Sequence, residues 1–152
     1  MTDHGKLGKS LADAVIQGKA VKVGILSGNQ SQLGMRQRLK SVKDKLEEAG
    51  IEISWILSEK ELDKKMRNVE YFAEQPVDTV ISLDNDDTEK AVDIILNDDR
   101  ISWKLYGEGR SEKLIYYLDK GTIQELAVPN EYYMGYQSIV LAAQNIRYYT
   151  DK

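Results

Sequence analysis

The sequence predicts a three-layer α/β fold: one five-stranded parallel sheet, strand order 2-1-3-4-5, with helices on both faces. Three observations lead there. Short apolar runs alternate with amphipathic segments of helical period along the whole chain. Strands that alternate with helices of 9–18 residues form parallel sheets, and right-handed crossovers leave few topologies for them. The 152 residues suit one domain with one core and would cramp two.

Each element has its own signal. An opening helix over about 5–17 buries Leu7, Leu11, Ala14 and Val15. Residues 21–27 are an apolar strand that runs into Gly28-Asn29. Leu33, Arg36, Leu39, Val42, Leu46 and Ala49 recur at spacings of three and four, which predicts an amphipathic helix stopped by Gly50. Residues 51–57 form a second strand. Ser58 with Glu61 is a capping-box pair opening a helix over about 60–74, broken by Pro76.

Residues 77–83 form the third strand and lead into Asp84-Asn85-Asp86-Asp87. A helix with Ala91, Val92, Ile94, Ile95 and Leu96 near its buried side follows. Residues 101–106 read as the fourth strand, and a short helix spans about 111–119. Residues 122–128 make the fifth strand, ended by Pro129, and a last helix covers about 131–148. Tyr132, Tyr133, Tyr136, Tyr148 and Tyr149 cluster there, as core packing or as part of a partner surface.

Composition narrows the function. Net charge is −4 with no basic stripe, so nothing favours a nucleic-acid partner. With no cysteine there is no disulfide, thiolate metal site or cysteine nucleophile. A lone histidine, His4, leaves no room for a multi-histidine metal site and argues against a Ser-His-Asp triad. The reading is therefore a non-enzyme without cofactor or metal. No apolar run is long enough to span a membrane, and the first residues lack the apolar stretch of a signal peptide.

In a doubly wound sheet, ligands sit outside the carboxyl ends of the strands. The loops there are Ser27–Gln32, Asp84–Asp87, Gly107–Arg110 and Pro129-Asn130, rich in amides and carboxylates, with Arg36 one turn into the following helix. Such a mixture suits a polyhydroxylated ligand, because sugar hydroxyls both donate and accept. Asn29, Arg36, Asn85, Glu108 and Asn130 are the candidate ligand contacts. The bland alternative is capping: Asp84 or Asn85 is a natural N-cap.

Rival chemistries lack their residues. Gly24, Gly28 and Gly34 do not make a G-x-G-x-x-G, and Gly28 begins no phosphate-binding G-x-x-x-x-G-K-[ST] loop. Asp84 lacks the acidic pair after the first strand that a phosphoacceptor would need. Ser27–Ser31 is a weak phosphate cradle, which keeps a flavodoxin-like FMN-binding protein as an alternative.

Several segments together resemble the second lobe of the ribose-binding-protein and LacI-like superfamily, the type I periplasmic binding proteins. Asp3–Ala12 is similar to that lobe's entry, D-N-x-x-x-G-x-x-x-A. Met35–Val42 is similar to A-R-x-R-x-x-G-F, and Asp84–Ala91 resembles x-N-D-E-x-A-x-G. Leu118–Ile123 is similar to L-x-x-G-x-I, and Asn130–Tyr136 to N-P-Y-E-M-G-Y.

The resemblance implies that Arg36 and Asn85 contact a sugar, that Glu108 stands where the family usually has Asp, and that Asp86 orders its turn. Pro129 replaces a Gln that often binds ligand. Asn97–Arg100 fills the place of a V-P-x-D segment usual in repressors. This points to an extracytoplasmic solute-binding protein for ABC transport or sensing, with the effector-binding domain of a cytoplasmic LacI-like regulator as the alternative.

The implied partners are a small sugar, a first lobe preceding this one, and a transporter or sensor kinase. Any export signal would lie upstream. The family's final helix packs on the other lobe, so residues 131–148 are expected to fold back on this sheet or to pair between chains in a homodimer.

Overall fold

The computed structural model describes residues 2–129 and 146–149. Helix α1 (His4–Gln17) starts where the Asp3 carboxylate accepts from the Lys6 amide at 3.0 Å. Strand β1 (Lys22–Leu26) leads to α2 (Leu33–Glu48), which ends at Gly50 in the left-handed conformation, φ +74°. Strand β2 (Glu52–Leu57) is followed by α3 (Glu59–Met66), opened by the Ser58–Glu61 capping box, and by α4 (Glu70–Glu74). Then come β3 (Thr79–Ser82), α5 (Asn85–Asn97), β4 (Lys104–Glu108), α6 (Glu112–Asp119), β5 (Ile123–Pro129) and β6 (Ile146–Tyr149).

All neighbouring strands are parallel, in the order β2-β1-β3-β4-β5-β6. The expected order 2-1-3-4-5 is present, with one strand added at its edge. That strand corrects the end of the expected 131–148 helix. Ile146–Tyr149, rich in β-branched and aromatic residues, instead pairs with the open edge of β5. The rest of that expected helix, and the pairing between chains built on it, lie outside the described residues.

The sheet separates two apolar layers. On one face, Leu7, Leu11 and Val15 of α1 and Val42 and Leu46 of α2 cover Val23, Ile25 and Ile81. On the other, Leu62, Phe72, Val92 and Leu114 from α3 to α6 cover Leu26, Val80 and Leu105. Helices α1 and α2 cross closely because α1 carries a glycine at the contact. A Cβ on Gly8 would lie 2.5 Å from the Arg38 carbonyl oxygen and 3.0 Å from the Ser41 Cβ.

Three further expectations are corrected. The helix expected over 60–74 is two helices, because the chain turns at Arg67-Asn68 and the Asn68 side chain accepts from the Glu70 amide at 3.3 Å. That turn delivers Phe72 edge-on to Trp103, ring centroids 5.2 Å apart, beside Trp55.

Strand β4 begins at Lys104, not Ile101. The apolar residues 101 and 103 read as strand but are spent on this aromatic plug below the sheet, where both are buried. As a result Gly107 and Glu108 belong to the strand. Third, α2 is rotated from the expected face: Met35, Arg38, Val42 and Leu46 are buried, whereas Leu33 and Arg36 face outward.

The close crossing is testable. Gly8→Ala should destabilise the chain by about 1–3 kcal/mol through overpacking. The readout is a lower urea midpoint at unchanged slope; an unchanged midpoint would contradict the crossing.

Candidate functional site

The carboxyl ends of β1, β3 and β4 bring three loops together: residues 27–32, 83–85 and 108–111. The sheet's strand order changes direction between β1 and β3, which opens the crevice where such folds seat ligands.

The first loop is held by its own side chains. The Gln30 amide donates to the Ser27 carbonyl at 2.7 Å, and Asn29 Oδ1 accepts from the Ser31 amide at 3.0 Å and hydroxyl at 2.7 Å. Arg36 is exposed above this loop, and its Nη1 donates to the Gln30 carbonyl at 2.9 Å.

The second and third loops are clipped to each other by Asn85. Its Oδ1 accepts from the backbone amides of Arg110 (2.9 Å) and Ser111 (3.2 Å). Its Nδ2 donates to Glu89 Oε2 at 3.1 Å, and the Ser111 hydroxyl donates to the same oxygen at 2.7 Å. Gly109 has to be glycine here: φ is +156°, and a Cβ would stand 2.6 Å from Asn85 Oδ1.

Below them lies a buried guanidinium. Arg38, 5% exposed, donates from Nη1 to the Leu83 carbonyl at 2.5 Å and to Glu108 Oε1 at 3.1 Å. Its Nε donates to His4 Nδ1 at 2.9 Å, which makes the imidazole an acceptor at that nitrogen. Gly34 leaves room for the imidazole: a Cβ there would lie 2.6 Å from His4 Nε2. Burial pushes the Glu108 carboxyl above the usual carboxylate range, and the charge and hydrogen bond of Arg38 oppose that shift. Asp84 is likewise raised by burial.

The family model described as a periplasmic binding protein domain matches residues 2–149. The chain belongs to the periplasmic binding protein domain family. Solved structures share the fold at low identity. The substrate-binding protein of a sugar ABC transport system from Bordetella parapertussis 12822 has a TM-score of 0.76 at 14% identity, over 100% of this chain and 55% of its own. An ABC sugar transporter (periplasmic sugar binding protein) from Legionella pneumophila gives 0.71 at 15% identity, over 84% and 50%. AraP, an arabinose binding protein from Geobacillus stearothermophilus, gives 0.70 at 15%, over 80% and 44%. The chain spans about half the length of these structures. The comparison with curated proteins gives no match.

Set against this periplasmic binding protein frame, the sequence-derived residues divide. Asn85 and Glu108 are brought together at the ends of β3 and β4, where the Thr88 hydroxyl also donates to the Glu108 carbonyl at 2.9 Å. Arg36 and Asn29 sit over the end of β1, with no hydrogen bond to that pair. Asn130 lies outside the described residues. Asp86 is exposed, and the turn is ordered by its neighbours: the Asp84 side chain accepts from the Asp87 amide at 2.8 Å, and Asp87 accepts from Gly28.

Sequence reasoning missed Arg38, Asp87 and the Arg38–His4 bond. The signal for Arg38 was a charge inside the stripe Met35-Arg38-Val42-Leu46, which also has helical spacing. Among the described residues no group of three or more His, Asp or Glu side chains could hold a metal, and no helix is long and apolar enough to cross a membrane. A cleft of mixed polarity lined by Phe72, Pro76, Arg100, Ile101, Ser102 and Trp103 lies at the amino ends of the strands, away from these loops.

The ion pair sets a thermodynamic test. Arg38→Met strands a buried carboxylate and should cost about 3–5 kcal/mol, whereas the double change with Glu108→Leu should recover most of that loss. Denaturation of the two variants checks it, and equal losses in both would contradict a buried pair.

The two candidate contacts should also differ. Asn85→Ala removes three hydrogen bonds that join the two loops and Glu89 and should cost about 1–3 kcal/mol in all, whereas Arg36→Ala should stay within about 0.5 kcal/mol. A larger loss at Arg36 than at Asn85 would reverse the assignment of fastener and free contact.

Proposed function

We propose that this chain is the ligand-binding second lobe of an extracytoplasmic solute-binding protein, and that its ligand is a sugar. A first lobe would close over the rim and serve ABC transport or sensing, with binding rather than turnover as the activity. One observation carries the reading. The family match spans the chain, and the three rim loops of the matched fold converge with polar groups already fixed in place.

Sugar recognition needs groups that do not reorganise on binding, because each immobilised side chain costs affinity. Here Asn85 and Asn29 are fixed by internal bonds, and Arg36 uses Nη1 in its bond to the Gln30 carbonyl, with no bond from Nε or Nη2 among the described residues. Arg36 is thus the group with most capacity left to donate to neighbouring hydroxyls, as a planar guanidinium does. Glu108 has one oxygen committed to Arg38 and is a weaker candidate. The proteins similar in fold that are described as sugar-binding support the same ligand class.

Calorimetry of a two-lobed protein that contains this chain, against a panel of monosaccharides, tests the reading. At least one sugar should bind, and Arg36→Ala should weaken it by about tenfold or more, about 1.4 kcal/mol. This lobe alone should bind no better than millimolar, about −4 kcal/mol, because hinge closure and half of the contacts are missing. If no sugar in the panel binds the two-lobed protein, the ligand assignment is wrong.

A further inference from the structure

The first turn of α5 holds a carboxyl group that ligand contact does not use. Asp87 is 1% exposed. Its Oδ2 accepts from the Gly28 amide at 3.0 Å, and its Oδ1 is buried with no hydrogen-bond partner. Gly28, with φ +68°, is gripped from the other side as well, where its carbonyl accepts from the Glu59 amide at 2.9 Å. A second carboxylate flanks the same residue: Asp84 Oδ2 stands 2.9 Å from where a Gly28 Cβ would be. Two acids therefore crowd one loop glycine at the crevice between β1 and β3.

We propose that Asp87 is a proton-operated latch between the β1–α2 loop and the first turn of α5. With a proton on Oδ1, the carboxyl is neutral, Oδ2 keeps the Gly28 amide, and the unpartnered oxygen carries no buried charge. When that proton leaves to solvent, the anion holds the Gly28 amide more strongly and repels Asp84, so the loop that starts at Gly28 shifts with Asp87 relative to Asp84. The consequence reaches the rim. Gly28 begins the loop whose Gln30 carbonyl anchors Arg36, and Asp87 lies two residues from Asn85. Titrating the latch changes the spacing of these two candidate contacts.

The charged surroundings favour the neutral form. Burial first, then the neighbouring Asp84 charge, raises the Asp87 carboxyl to about 7. Glu59 of α3 adds to this, while the Gly28 amide and Lys90 of α5 oppose it. Lys90 is diverted by its own ion pair with Asp63 of α3, at 2.7 Å. On the Asp84 side, Arg38 of α2 lowers and Asp86 raises that second carboxyl, and Glu108 of β4 also feels the Asp84 charge.

The linkage has a definite sign. The folded chain holds the Asp87 proton up to about pH 7, whereas an unfolded aspartate releases it near 3.8. The stabilisation from the protonated latch is thus complete below about pH 4, declines as pH rises toward 7, and is absent above it.

Nuclear magnetic resonance of the 152-residue chain between pH 3 and 9 tests the latch without any ligand. The Asp87 carboxyl carbon and the Gly28 amide should titrate together with a midpoint within one unit of 7. Asp87→Asn should abolish the Gly28 titration, and Asp84→Asn, which keeps the cap, should lower its midpoint. A carboxyl midpoint below 5 in the unmodified chain, which needs no variant, overturns the proposal. So does a Gly28 titration that survives Asp87→Asn and disappears in Asp84→Asn, since the proton then belongs to Asp84.

Discussion

One buried guanidinium organises the functional end of this molecule. Arg38 projects from α2 into the space beneath the rim and joins His4 of α1, the Leu83 carbonyl after β3 and the Glu108 carboxylate at the end of β4. A charge placed there without partners would cost several kcal/mol. The packing around it is correspondingly exact in its demands: α1 needs a small residue at Gly8 to approach the Arg38 backbone, and α2 needs one at Gly34 to admit the imidazole. The price of the arrangement is a carboxylate withdrawn from any ligand. In return the ends of two strands and the start of two helices are locked into one frame.

On that frame the rim is built from internal hydrogen bonds. Asn85 stitches the β3–α5 and β4–α6 loops together, and Asp87 ties α5 to the β1–α2 loop through Gly28. Groups fixed before binding lose little entropy when a ligand arrives. A lobe of this kind can serve as the rigid half of a clamp, with closure contributed by hinge motion of a second half. Under the proposed function, this lobe alone is expected to bind poorly, since it offers orientation without enclosure.

Much of the fold was legible in the sequence because alternation of strand and helix is a repeated, low-resolution signal. Five strands and their parallel order follow from period and crossover rules, and Ser58–Glu61 and Asp84 marked helix starts by local chemistry. What failed was register. Ile101 and Trp103 have the alternation of a strand but serve as a plug on Phe72, a choice made by tertiary packing. The α2 face was misread by starting the stripe at Leu33, so Arg36 entered it where Met35 and Arg38 belong. The site was legible in its loops and not in its partners: Asn85 and Glu108 could be placed at the rim, but the guanidinium that claims Glu108 is seventy residues away in sequence.

The central claim is that the rim loops are a fixed part of the folded frame. Hydrogen exchange of the unliganded chain tests it most directly, at the amides of Gly28, Asp87, Arg110 and Ser111. Each is bonded to a side-chain oxygen that bridges loops or caps a helix. They should exchange about as slowly as the amides of β1 and β3, through opening of the whole domain. Exchange as fast as that of an unstructured loop, with the strands still protected, would contradict the claim.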